Sequence, residues 1–211
     1  METMLSEIET RVLGSLIEKQ VTTPEYYPLT LNALTLACNQ KNNRNPVTSY
    51  SENQVADALE SLREKNLAYV FYGSTSRVPK YKHVMPEVMH LSHPEMALMC
   101  VLMLRGAQTL GELRGNGSRL YEFSSLEEVE ETLNKLITRD PDPLVARLPR
   151  QPGQKDGRFA HLLSGEIDLQ AIEQTPPSPP RRTSLEEKVE ALTAEVEKLK
   201  EQFDQFRKQF E

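Results

Sequence analysis

The chain has 211 residues, enough for one or two domains of ordinary size, and with 38% hydrophobic residues and no Trp each core must be small and mostly aliphatic. A net charge of −6 argues against coating nucleic acid or membrane by bulk electrostatics. Cys38 and Cys100 both fall in apolar helical runs, so they read as buried free thiols in a reducing cytosol, not as a disulfide or a catalytic thiol.

The N-terminus carries acids where a signal peptide would carry a basic region and an apolar core, so none is expected. Ser6 with Glu9 predicts a capping box, and Ile8, Val12, Leu13, Leu16 and Ile17 form the buried face of the helix that follows. Thr22–Pro28 breaks that helix, and a second short one carries Leu29, Leu31, Leu34 and Leu36. A polar loop dense in amides, Cys38–Pro46, comes next. Ser51 with Gln54 caps a third helix, whose stripe is Val55, Leu59 and Leu62. Two β-rich runs, Leu67–Tyr72 and Val78–Val84, then flank the turn Gly73–Arg77. Three helices and a hairpin predict a winged helix-turn-helix domain over residues 1–88.

The pattern then repeats. Ser92 with Glu95 caps a helix with Pro94 in its first turn. Its run Met96–Leu104 has no polar face and must be covered on every side, by the first domain or a second subunit. That run is also the longest apolar stretch, about half a membrane span, so no membrane partner and a cytoplasmic location are expected. A short helix begins at Thr109–Arg114, and Gly115–Ser118 reads as a turn. Ser125 with Glu128 predicts another capping box; Val129, Leu133 and Leu136 repeat the earlier stripe, and Leu144–Leu148 with Arg158–Leu163 repeat the hairpin. Tyr81-Lys-His83 aligns with Phe159-Ala-His161. This second winged-helix domain spans 92–166, followed by a Pro-rich linker over 167–183 and a C-terminal coiled-coil helix over 184–211. The expected fold class is mainly α with small β-hairpins (α+β): two tandem winged helix-turn-helix domains and a coiled-coil tail.

Several stretches resemble the YceH-like family of bacterial proteins. They are Thr23–Thr30, Ala37–Lys41 with Asn43-Arg44, Leu104–Thr109, Gly111–Arg114, Leu120–Ser124 and His161–Glu166. Leu110 stands where that pattern has a proline, and Asn45 where it has an acid. The resemblance implies tandem winged-helix domains and carries no activity with it.

Catalysis needs convergent groups that share protons, bind metal or attack. His83 and His161 occupy matching strand positions, which points to a structural role. His90 and His93 flank the junction between the domains, with no cysteine or acid at zinc-finger spacing. No phosphate-loop, nucleophile-elbow or C-x-x-C motif is present. A protein that is not an enzyme, with no cofactor and no metal, is expected.

Winged helices most often bind duplex DNA through the third helix. Here that helix turns Asn53, Asp57, Glu60 and Glu64 outward, and its repeat turns out Glu127, Glu131, Asn134 and Thr138. Acids there oppose phosphate. The cations lie elsewhere: Lys41 and Arg44 in the loop, Arg77, Lys80 and Lys82 in the first wing, and Arg147, Arg150, Lys155 and Arg158 in the second. They form the candidate nucleic-acid contact set, although cations on a hairpin edge also deter strand-to-strand aggregation. The alternative is a protein-interaction module using the acidic helices, the apolar run and the coiled coil.

In the tail, Leu185, Val189, Leu192, Val196, Leu199, Phe203, Phe206 and Phe210 step by fours and threes as a heptad seam. Valine at a with leucine at d predicts a parallel homodimer.

Overall fold

The computed structural model describes residues 4–72, 78–150 and 156–165, all of which fall in one unit, Met1–Asp168. The linker and the heptad seam lie outside the described residues. The described chain is mainly helical, with small antiparallel hairpins.

Helix α1 (Glu7–Thr22) opens on the expected reciprocal cap between Ser6 and Glu9. The chain then makes a single 3-10 turn (Pro24–Tyr26) and a two-residue strand, β1 (Leu29–Thr30). The side chain of Thr30 caps α2 (Leu31–Cys38) by accepting from the Ala33 amide. Here the structure differs from the sequence reading. Leu29 belongs to a strand, paired with Tyr81, whereas Leu31, Leu34 and Leu36 lie in α2 as read, Leu36 65% exposed on its outer face.

Helix α3 (Glu52–Glu64) has the full Ser51–Gln54 box and buries Val55, Ala58, Leu59 and Leu62. It ends on Asn66, whose φ of 56° is left-handed; the Leu67 amide donates to Leu62 O and the Asn66 amide to Arg63 O. That is the hydrogen-bond pattern of a Schellman stop, in which asparagine is the usual substitute for glycine. The stop launches β2 (Ala68–Phe71), which pairs with β3 (Lys80–His83); the sheet order is β1-β3-β2.

The second half follows the same plan. Helix α4 (Met85–Met89) leads into α5 (His93–Arg105), then α6 (Leu110–Gly117) and α7 (Leu126–Ile137), then the hairpin β4 (Val145–Arg147) and β5 (Phe159–His161). Gln108 bridges Phe159 as Leu29 of β1 pairs with Tyr81. Two local expectations change. Gly115–Gly117 continue α6 instead of turning. Ser125 caps α7, but the Glu128 carboxylate reaches back to the amide and hydroxyl of Ser124, so the box is not closed on Ser125.

A single hydrophobic cluster runs through both halves, and the Met96–Leu104 run is covered in part by the first half. Helix α5 is its centre, with every residue from Met96 to Leu104 buried. It packs on α1 along one side and on α6, α7 and β5 along the other. The physical reason is the missing polar face: nine consecutive apolar residues need two walls, and one three-helix unit supplies only one.

Gly14 of α1 permits the close approach. A Cβ there would lie 3.0 Å from Leu104 Cδ2 and 3.2 Å from Met103 Cβ.

Candidate nucleic-acid interface

Two buried arginines organise the amide-rich loop after α2. The guanidinium of Arg44 donates to Ala37 O at 2.9 and 3.2 Å and to Asn43 O at 3.0 Å, and it pairs with the Glu18 carboxylate at 2.6 Å. Its side chain has no exposed surface. Arg44 is therefore not free for phosphate, and it leaves the candidate set. The cause is local: the C-terminal turn of α2 presents carbonyls without helical partners, and an arginine fork satisfies them.

Arg11 serves the same loop from the other side, donating to Cys38 O (3.2 Å), Pro46 O (2.7 Å) and Thr48 Oγ1 (3.4 Å). Burial, and then the nearby charge of Arg44, hold its pKa below the usual arginine value. Asn39 clasps both backbone groups of Tyr50, the Asn45 amide donates to Leu104 O, and Arg105 donates to Asn43 Oδ1. The amides of this loop thus tie the two halves together. Of its two cations only Lys41 faces solvent.

The hairpins carry the other cations. In the first, Lys82 pairs across the ladder with Tyr69 and Lys80 with Phe71. The Lys82 ammonium lies 5.2 Å from the centre of the Tyr69 ring. In the second, Arg147 and Arg150 are exposed, and Arg147 lies over the Phe159 ring at 5.7 Å. Arg158 is half-buried; it donates to Ala107 O at 2.7 Å and pairs with Glu112 at 3.5 Å, which turns most of its charge inward. Arg77 and Lys155 lie outside the described residues. The structure therefore keeps Lys41, Lys80, Lys82, Arg147 and Arg150 at the surface.

Helices α3 and α7 expose the acids expected of them. Asn53, Asp57, Glu60 and Glu64, and likewise Glu127, Glu131, Asn134 and Thr138, all face solvent.

Burial, and then the neighbouring charge of Lys82, push the His83 pKa down to about 4. Its backbone N–H donates to Tyr27 Oη at 2.9 Å, and the two rings meet edge to face. Burial lowers His161 to about 4 as well. Both histidines pair with the first residue of the opposing strand, Ala68 and Val145 respectively. Burial pushes the Cys38 and Cys100 thiols up. Crevices of about 400 and 320 Å³ flank the α1–α5 contact, one lined by His83, His93 and Tyr121 and the other by Arg11 and His161. Among the described residues no group of three His, Cys, Asp or Glu could hold a metal ion. None of the described helices is long and apolar enough to cross a membrane.

Residues 5–154 match a family model described as "Protein of unknown function, DUF480". The chain belongs to this family. Its similarity to individual members extends well beyond that match. It is 49% identical to a UPF0502 protein of Geobacter sulfurreducens over the whole of both chains. A UPF0502 protein of Opitutus terrae is 52% identical, over 90% of this chain and 83% of that one. One from Vibrio atlanticus is 46% identical over 96% and 94%. The YceH-like resemblance read from the motifs agrees with this membership. Those motifs coincide with structural positions: Asn43-Arg44 in the tied loop, Leu104–Thr109 at the end of α5, and His161–Gly165 at the last strand.

Proposed function

We propose that each half is a winged helix-turn-helix unit and that the protein is a non-catalytic, DNA-associated regulator. It contacts phosphates through Lys41 and through Lys80, Lys82, Arg147 and Arg150 of the hairpins. One observation carries this reading: the third helices expose mainly acids, Asp57, Glu60 and Glu64 on α3 and Glu127, Glu130 and Glu131 on α7, against single exposed cations in Arg63 and Lys135, while the hairpins and the loop carry Lys41, Lys80, Lys82, Arg147 and Arg150 at or near the surface. Phosphate repels the former and attracts the latter. The two strand histidines occupy equivalent ladder positions in the two hairpins, opposite Ala68 and Val145, which supports a structural role for them.

Titrating a labelled duplex with the full chain at several salt concentrations tests the proposal. Replacing Lys80, Lys82, Arg147 or Arg150 by Ala should weaken binding to all sequences and reduce the salt slope by about one unit each. Asn53→Ala should change nothing. Loss of binding with Asn53→Ala alone would move the contact to α3. Should no nucleic acid bind even at low salt, the reading gives way to a protein-interaction module whose partner is basic, because the acidic faces of α3 and α7 favour such a partner.

The heptad seam from Leu185 to Phe210 would join two copies in parallel. Sedimentation of the full chain against a form ending at Thr175 reads this directly. A dimer that becomes a monomer on truncation supports it, and a full-length monomer at micromolar concentration refutes it.

A further inference from the structure

The two hairpins are repeats of one another, which provides an internal control. Ala68 opposite His83 corresponds to Val145 opposite His161, and both pairs face the core. Moving one residue along each ladder turns to the outer face. In the second hairpin that position holds Ala146 opposite Ala160. In the first it holds Tyr69 opposite Lys82, followed two residues on by Phe71 opposite Lys80. The fold therefore closes a hairpin at the Tyr69 position with two alanines and needs no ring there; at the Phe71 position the repeat holds Leu148, a buried aliphatic residue, opposite Arg158. Yet Tyr69 and Phe71 are 37% and 42% exposed, and Tyr72 just beyond the strand is 69% exposed. Thr30 of β1, opposite Lys80, extends the same face, which holds no carboxylate among its described residues.

From this we infer that the outer face of β2–β3 binds single-stranded nucleic acid, with bases stacked on Tyr69 and Phe71 and phosphates held by Lys80 and Lys82. The inference rests on the nucleic-acid reading above and names a site for it. The face offers two flat rings and two cations in register, so its ligand carries flat rings and negative charge together. A nucleic acid supplies both; a duplex hides its ring faces inside the stack, and a single strand exposes them. Spacing agrees. Alternate residues of a strand stand about 6.8 Å apart, twice the 3.4 Å rise of a stacked strand, so neighbouring bases splay onto separate rings, as they do on other sheet platforms. The Lys82 ammonium over Tyr69 shows that the ring face is open to a cation–π partner.

The test is fluorescence anisotropy on the full chain with a labelled oligo-dT of about twelve nucleotides, within the site size of such platforms, and a duplex of equal length. The single strand should bind about tenfold or more tighter at the same salt. Tyr69→Leu with Phe71→Leu keeps apolar bulk and strand propensity but removes the rings, and circular dichroism checks its folding. This variant should lose tenfold or more on the single strand and nothing on the duplex. Tyr69→Phe should retain binding. Equal affinity for both ligands, or an unaffected double variant, overturns the stacking site while lysine-dependent duplex binding leaves the broader reading in place. If the wild-type chain binds neither ligand, both fall.

Discussion

At the scale of single residues, charge burial is decided by partners. Glu9 is almost wholly buried, and burial alone would raise its pKa. Hydrogen bonds from Lys65, at 2.5 Å, and from Ser61 and Ser6 outweigh that and bring it to about 2. Its folded pKa is thus below its unfolded one. The stability it contributes is full above about pH 4.5 and lost as pH falls toward 2, a loss on the order of 3 kcal/mol. His83 and His161 act in a higher window. Their folded pKa of about 4 lies below the ordinary 6.5, so the unfolded chain takes up protons first and stability falls from pH 6.5 to 4. Urea midpoints measured from pH 8 to 2 should therefore decline in two stages. Lys65→Met should cost about 3 kcal/mol at neutral pH, the low end for a buried pair, and flatten the lower stage. His83→Leu should flatten the upper one. A single stage unaffected by either change would refute these assignments.

At the scale of elements, most of the fold was legible because local signals agreed with tertiary demand. The Ser6, Ser51 and Ser92 boxes and the stripes of α3 and α7 were read directly, as was the repeat that aligns His83 with His161. What escaped was non-local. Strand β1 is two residues long, and only its pairing with Tyr81 and Lys80 makes it a strand. Helix α2 is too short for its periodicity to tell the buried Leu34 from the exposed Leu36. Arg44 looked like a phosphate ligand because its partners, Glu18 and Ala37 O, are remote in sequence or silent in it. Nothing in a lone arginine marks it as internal. The outward ring of Tyr69 is legible only by comparison across the repeat, where Ala146 takes its place.

At the scale of the whole molecule, the decisive contact is α1 against α5. Because α5 is buried along nine successive residues and α1 forms one of its walls, neither half has a complete core without the other. Gly14 sits at that contact. A methyl there would press on Leu104 and Met103 at 3.0–3.2 Å, where Cys100 Sγ also lies 3.4 Å from Gly14 O. Two effects compete in Gly14→Ala. Helix propensity gains about 1 kcal/mol and overpacking costs about 1–3 kcal/mol, so the net change should lie between zero and a loss of about 2 kcal/mol. Gly14→Val keeps the clash, adds two methyls and gains less in propensity, so it should lose about 2 kcal/mol or more. Hydrogen exchange locates the loss. If the halves share one cooperative core, slowly exchanging amides of α3 and of α7 should lose protection equally. Protection lost in α3 alone would mean that the first half opens by itself, and the contact would then be a docking surface between two independent folds.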